Sequence, residues 1–307
     1  MNLIIEILLI ILGTYFLIYF CNKNSILIHN IGEAHQNYIK SKQTPLIGGI
    51  IFFAIFFVDY KSLSYLHLFP FLILLMGVLS DLRKMTSAYL RLFIQLIVVV
   101  MFIHFYELSV DITRIYILDN YLKNYFLAIL FTTFCVLIII NGINFIDGSN
   151  LLVLGYFLIL ELTFINLSHE GLNFEGVLFL NNFLIVLLVL IFFNASNKLY
   201  LGDGGSYLLG FIYSFKCISL YLSNPNISPF FITVLLWYPA FEILFSILRK
   251  YNFNKSPIKP DSNHLHQLIY FFLIKRVSNN ILRSNLVGII INLFNLSFIF
   301  FSLIDIY

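Results

Sequence analysis

Apolar residues in this chain neither alternate nor follow a one-sided stripe; they come in near-continuous runs broken by short polar stretches. Runs of this kind fit helices that are greasy on every side, as in a membrane bundle, and not the alternating strands of a barrel. The candidate spans are roughly 3–20, 45–59, 66–80, 91–107, 125–140, 151–167, 177–193, 206–222, 229–248 and 285–304. Several hold about 15 residues, short of the ~20 that an upright helix needs to cross the hydrocarbon core. Either flanking residues complete them or the helices are short or broken. The predicted fold is an all-α polytopic integral membrane protein, a bundle of about ten or eleven transmembrane helices. No segment is long and polar enough for a separate soluble domain, so residues 1–307 read as a single polytopic domain. The first run lacks a basic n-region and a small-residue cleavage site, and reads as a retained first span.

Composition agrees. The chain is 60% hydrophobic and 11% charged, whereas a soluble domain carries about 25% charged residues. The three cysteines, Cys21, Cys135 and Cys217, are scattered through or at the ends of apolar runs and read as small buried hydrophobes.

The net charge of +3 says little, but its distribution says more. If the spans alternate, one set of loops comprises 21–44, 81–90, 141–150, 194–205 and 249–284. Of the 18 Lys and Arg residues, only Lys61, Arg114 and Lys123 fall in the opposite loops, and Lys216 lies inside a span. The positive-inside rule makes the basic set cytoplasmic and puts both termini outside. Those loops hold few acids: Glu33, Asp81, Asp147, Asp203 and Asp261. Any one of them alone reads equally well as a solvated loop acid. Four in unusual local sequences on one face point to a shared site at the cytoplasmic face.

The first such sequence is GVLSDLRKMTSAYLRLFIQ, 77–95, where Asp81 follows a span and has Arg83 and Lys84 beside it. A carboxylate among cations can hold a metal or orient a phosphate, or it is an acid near a helix start or in a salt-bridged loop. The second is NGINFIDGSN, 141–150, in which Asn141, Asn144, Asp147 and Asn150 recur every three residues. At that spacing they line one face, and amides both donate to and accept from a base or sugar; an ordinary helix cap would need only one. The third is KLYLGDGGSYLLG, 198–210, where Asp203 lies among Gly202, Gly204 and Gly205 before a span. Glycines admit a diphosphate closely, and a helix start offers it N–H groups. The fourth is SPIKPDSNHLHQLIY, 256–270, in the most basic loop. His264 and His266 would face different sides of a helix, but both could point inward from an extended turn. With Asp261 and Lys259 beside them they favour phosphate contact, and HxH alone is weak evidence for zinc.

Carboxylates without zinc-type spacing fit Mg²⁺, which takes one or two carboxylates plus substrate phosphates. Phosphorylated substrates follow, one of them a lipid. In this order, with TPLIGG at 44–49 and LLWYPAFEILFSILRK at 235–250, the motifs resemble the polyprenyl-phosphate N-acetylhexosamine-1-phosphate transferases. That group comprises initiators of O-antigen and teichoic acid linkage units and phospho-MurNAc-pentapeptide translocase, which belong to glycosyltransferase family 4. The resemblance covers about residues 40–270, and the HLHQ and YPAFE forms are most similar to the O-antigen initiators.

The resemblance implies an enzyme that moves N-acetylhexosamine-1-phosphate from a UDP-sugar to undecaprenyl phosphate. UMP would leave, and the step would start cell-surface polysaccharide synthesis of the O-antigen, capsule or teichoic-acid type. The cofactor would be Mg²⁺ or Mn²⁺. The place would be the bacterial inner (cytoplasmic) membrane, with no nucleic-acid partner and a homodimer left open. Matched residue by residue, Asp203 takes the place of the Mg²⁺ ligand in the catalytic centre, and Asp81 that of the second acid of a pair assigned to the lipid phosphate or to catalysis. Asn144 and Asp147 match an N-x-x-D assigned to nucleotide-sugar binding and catalysis, with Asn141 just upstream. His264 and His266 match a histidine motif that contacts substrate, Tyr200 stands where a Phe often lies near uracil, and Lys84 matches a basic position. The chain departs from the pattern at Ser80, Asn150, Leu151 and Gln267, where an acid, an aspartate, a glycine and a histidine are usual. Two other readings stay open: a transporter of an anionic metabolite, for which Glu242 and Lys216 inside apolar runs speak, and an inactive relative that binds lipid-linked sugar.

Overall fold

A computed structural model describes residues 3–28, 44–59, 67–174, 183–254, 263–304 and 306. Among them every named element is a helix. In chain order these are α1 (Leu3–Asn24), α2 (Gly48–Asp59), α3 (Leu68–Asp81), α4 (Ala88–Tyr106), α5 (Tyr116–Leu122), α6 (Tyr125–Ile146), α7 (Leu152–His169), α8 (Phe183–Ala195), α9 (Gly202–Ser223), α10 (Pro229–Leu235), α11 (Trp237–Asn252), α12 (Leu265–Ile274) and α13 (Asn280–Ser302).

Each predicted span coincides with helix, and the protein is a multi-pass helical membrane protein. The ten or eleven transmembrane helices expected, some of them short or broken, differ widely in length. Among the described residues five helices are long and apolar enough to cross alone: α1, α4, α6, α7 and α13. The pair α10 and α11, which the sequence reads as one span, is apolar enough to make a sixth if it crosses as one, but it bends by 76° at Leu236. Pro239 explains the break. It sits in the first turn of α11, where its missing N–H costs nothing, but it could not continue the ladder from α10. Helix α2, at 12 residues, is about 18 Å long against a ~30 Å core. Two helices, α5 and α12, fall in stretches read as loops.

The core is built around α9. From Gly202 to Tyr221 every residue of it except Asp203 is buried. Glycines on its neighbours allow this. A Cβ at Gly77 of α3 would collide with the backbone of Gly204, so the two helices meet backbone to backbone. Deeper in α9, Lys216 pairs with Glu161 of α7, and Tyr213 Oη donates to the same carboxylate at 2.7 Å. The Lys216 ammonium lies over the rings of Phe164, Phe183 and Tyr213. A buried ion needs a partner of this sort to offset its desolvation.

The helix ends sort into two groups. The end of α3, the start of α4, the end of α6, the start of α9 and the start of α12 lie together, held by contacts described below. At the opposite end, Tyr221 Oη donates to the Ile112 carbonyl and Arg114 Nη2 to that of Asn226.

Candidate active site

The start of α9 has no cap of its own: Leu201 contributes no side-chain hydrogen bond. The orphan N–H groups of the first turn are met from another helix. Asp81, the last residue of α3, accepts from Asp203 N–H through Oδ1 at 2.9 Å and from Gly204 N–H through Oδ2 at 3.1 Å. Gly202 makes room for this. Its φ is +76°, and a Cβ there would stand 2.7 Å from Asp81 Oδ2. The TPLIGG motif braces the same turn from α2. Leu46 bridges Tyr200, Tyr200 N–H donates to the Pro45 carbonyl at 3.0 Å, and Gly48 N–H donates to the Tyr200 carbonyl at 3.0 Å.

This scaffold presents Asp203 at the one opening in α9. Its Oδ1 accepts from Asn144 Nδ2 at 2.8 Å, and its Oδ2 from Ser80 Oγ at 2.6 Å. Arg91 of α4 donates through Nη1 to Ser80 Oγ at 2.5 Å and stands 3.8 Å from Asp203 Oδ2. Asp147 caps the end of α6. Its carboxyl is pushed up to about 7, first by burial and then by the charge of Asp203.

The histidines approach from α11 and α12. His264 is the N-cap of α12 with an extended backbone, and its N–H donates to Gln267 Oε1 at 3.2 Å. His266 lies in the first turn, and the two rings stack with centroids 5.8 Å apart and planes 6° off parallel. Both therefore do point one way. Phe145, between Asn144 and Asp147, meets His264 edge-on at 5.2 Å. His266 packs on Gly148, where any Cβ would strike its Nε2. Burial first, and then His264, hold His266 down at about 4. It is a neutral ring at physiological pH.

Of the sequence candidates, Asp81, Asp147, Asp203, Asn144, His264 and His266 thus meet at one end of the bundle. The expectation that Asn141, Asn144, Asp147 and Asn150 line one face is corrected. All but the last belong to α6 or its cap, and of their amides only that of Asn144 reaches Asp203. Asn141 Nδ2 donates to Gln95 Oε1 of α4 at 2.8 Å and to the Leu137 carbonyl at 2.9 Å. Asn150 is buried, and its Nδ2 lies 3.4 Å from Asn197 Oδ1. Tyr200 Oη donates to that same Asn197 oxygen at 2.7 Å. Lys84 is exposed in the turn after α3. Lys259 and Asp261 lie outside the described residues.

Sequence reasoning missed Arg91 as a site residue, although its place four residues before Gln95 on the buried side of α4 was a signal. It also gave Glu242 to a transport pathway. The structure instead places Glu242 against His264, and Lys216 in a closed pair with Glu161.

Among the described residues no three His, Cys, Asp or Glu side chains are gathered as a metal cage. One half-buried carboxylate, Asp203, backed by an amide and a hydroxyl suits a Mg²⁺ ion that completes its shell with phosphate oxygens. An apolar crevice of about 290 Å³ runs between α6, α9 and the α10–α11 bend, lined by residues such as Cys135, Ile139, Ser214, Ile218 and Ala240.

A probable undecaprenyl-phosphate N-acetylglucosaminyl 1-phosphate transferase of Bacillus subtilis (strain 168) is 32% identical over 215 residues, 68% of this chain and 58% of the relative. This chain thus spans less than two thirds of that relative's length. An undecaprenyl-phosphate alpha-N-acetylglucosaminyl 1-phosphate transferase of Thermotoga maritima is 26% identical over 233 residues, 74% of this chain and 68% of the relative. The profile described as glycosyl transferase family 4 matches residues 63–221. That segment is more than half of the chain and holds Asp81, Asn144, Asp147 and Asp203. The chain belongs to glycosyl transferase family 4.

Proposed function

We propose that the protein transfers N-acetylhexosamine-1-phosphate from a UDP-sugar to undecaprenyl phosphate. The step would initiate a cell-surface polysaccharide, with the site on the cytoplasmic side of the bacterial inner membrane. An oxygen of the lipid phosphate attacks the sugar-bearing phosphorus, the bond to the bridging oxygen breaks, and UMP leaves. One phosphoanhydride replaces another, so no further energy source is needed and UMP reverses the step.

The observation that carries this reading is Asp203, held open-faced at a glycine-flanked helix start by Asn144, Ser80 and Arg91. Asp203 would hold Mg²⁺, which when bound supplies positive charge to the phosphate oxygens. The other residues serve the approach of two anions. Arg91 contributes a fixed cation beside the metal-binding carboxylate. Asp147, whose carboxyl is pushed up first by burial, carries less negative charge toward the diphosphate than an ordinary carboxylate would. Asp81 positions the α9 turn and is not a proton acceptor. The acceptor needs none, because a phosphomonoester with a second pKa of about 6 is mostly dianionic at neutral pH. The apolar crevice offers room for part of an isoprenoid chain.

The test is a panel of UDP-N-acetylhexosamines with purified protein, undecaprenyl phosphate and Mg²⁺, read as lipid-linked sugar formed and as exchange of labelled UMP into the donor. Transfer and exchange with at least one donor are expected, and Asp203→Asn should remove nearly all of both while remaining membrane-inserted. No exchange with any donor overturns the function. Full activity of Asp203→Asn at low Mg²⁺ overturns the metal assignment.

A further inference from the structure

Glu242 is a buried carboxylate in α11, outside the segment that matches the family profile. Its oxygens are divided between two partners on the next helix. Oε2 lies 3.3 Å from His264 Nδ1, and Oε1 accepts from Leu265 N–H at 3.2 Å. About two turns further along α11, Arg249 Nη1 donates to the Asn263 carbonyl at 2.6 Å. Three consecutive residues, Asn263 to Leu265, are therefore tethered to α11, and two of the tethers are made by one side chain.

We infer that Glu242 is a positioning residue for the transfer reaction, acting through His264. The inference rests on the proposed function for its kinetic part. A carboxylate facing Nδ1 accepts the proton there, so it fixes which ring nitrogen is protonated and how the ring is turned. The same carboxylate holds the first N–H of α12, so the ring and its helix cannot drift apart. The stacked rings pass this order to His266, which in turn rests on Gly148 beside Asp147. The bent helix α11 thereby sets the histidine motif against the end of α6.

The tests use the full chain in nanodiscs. In histidine-labelled protein, ¹⁵N shifts read the tautomer with no substrate present, and His264→Ala identifies the signal. The His264 signal should show Nδ1 protonated in the wild type and a changed distribution in Glu242→Gln. An unchanged signal overturns the inference. In the transfer assay, Glu242→Gln should lower kcat by about 10- to 100-fold, the range seen when a carboxylate partner of a functional histidine is lost, with KM for the UDP-sugar changed by less than about threefold. The Glu242→Gln/His264→Ala double variant should be no slower than His264→Ala alone, because one residue acts through the other. Multiplying losses, or full kcat in Glu242→Gln, overturn the inference. If the wild type transfers nothing, the proposed function falls, while the tautomer experiment still decides the Glu242 clamp.

Discussion

Ser80 and Asp81 are neighbours in sequence and turn to different tasks. Ser80 Oγ touches the Asp203 carboxylate, whereas Asp81 holds two backbone N–H groups beneath it. A hydrogen bond to a charged carboxylate is worth about 1.5–3 kcal/mol, and Arg91, which remains near Asp203 without the hydroxyl, makes up part of that loss. Ser80→Ala is therefore expected to retain transfer within about tenfold of wild type, while Asp81→Ala, which uncaps the turn that carries Asp203, loses it. Assays at matched membrane levels check the order; an inactive Ser80→Ala beside an active Asp81→Ala contradicts it. Asp147 gives a pH signature. Its native carboxyl keeps its proton up to about 7, whereas a free aspartate gives it up near 3.8. Between those values the native state binds the extra proton, so this group's stabilisation is full below the lower value and lost as pH rises through the upper one. The thermal midpoint of metal-free protein should fall from about pH 5 to about pH 8 on this account, and Asp147→Asn should flatten the fall. That acids and histidines meet was legible from their crowding on one set of loops. That Asp81 is a cap was not, because its partner lies 122 residues away in sequence and no local pattern records such a cap.

At the scale of elements, hydrophobic runs located the helices well but not their breaks or ends. The turn of α6 that bears Asn141 and Asn144 is helical although it is polar, since Gln95 and Asp203 satisfy its amides from neighbouring helices. Likewise, α9 begins at Gly202, four residues before its apolar run, because the cap comes from α3. Helix-to-helix approach here depends on missing side chains. A Cβ at Gly77 meets the backbone of Gly204, which cannot yield as a flexible side chain does. Gly77→Ala should push α3 off α9, cost about 1–3 kcal/mol of stability as overpacking does, and lower transfer by loosening Asp81. Gly13→Ala is the control, since nothing lies within 4 Å of a Cβ at that position. Equal melting and transfer in the two variants would show that this backbone contact does not matter.

At the scale of the whole molecule, the bundle has one chemical end. Asp81, Asp147, Asp203 and the histidine pair share it with the basic loops, and the turns around Arg114 and Asn224 form the other. The proposed topology predicts that a cysteine at Ser149 is labelled only from the cytoplasmic side and one at Ser168 only from outside. Labelling of Ser149→Cys by an impermeant reagent in intact cells would invert the assignment. The helix that carries Asp203 adds a constraint on how the molecule is made. Although α9 is 22 residues long, it is not among the helices apolar enough to cross alone. It carries Asp203 near its start and Lys216 near its middle, and the latter needs Glu161 of α7. During synthesis it cannot settle in lipid as an independent segment; it must leave the translocon into a groove already formed by α2, α3, α6 and α7. The turn that carries Asp203 then comes into being only when most of the bundle has been assembled.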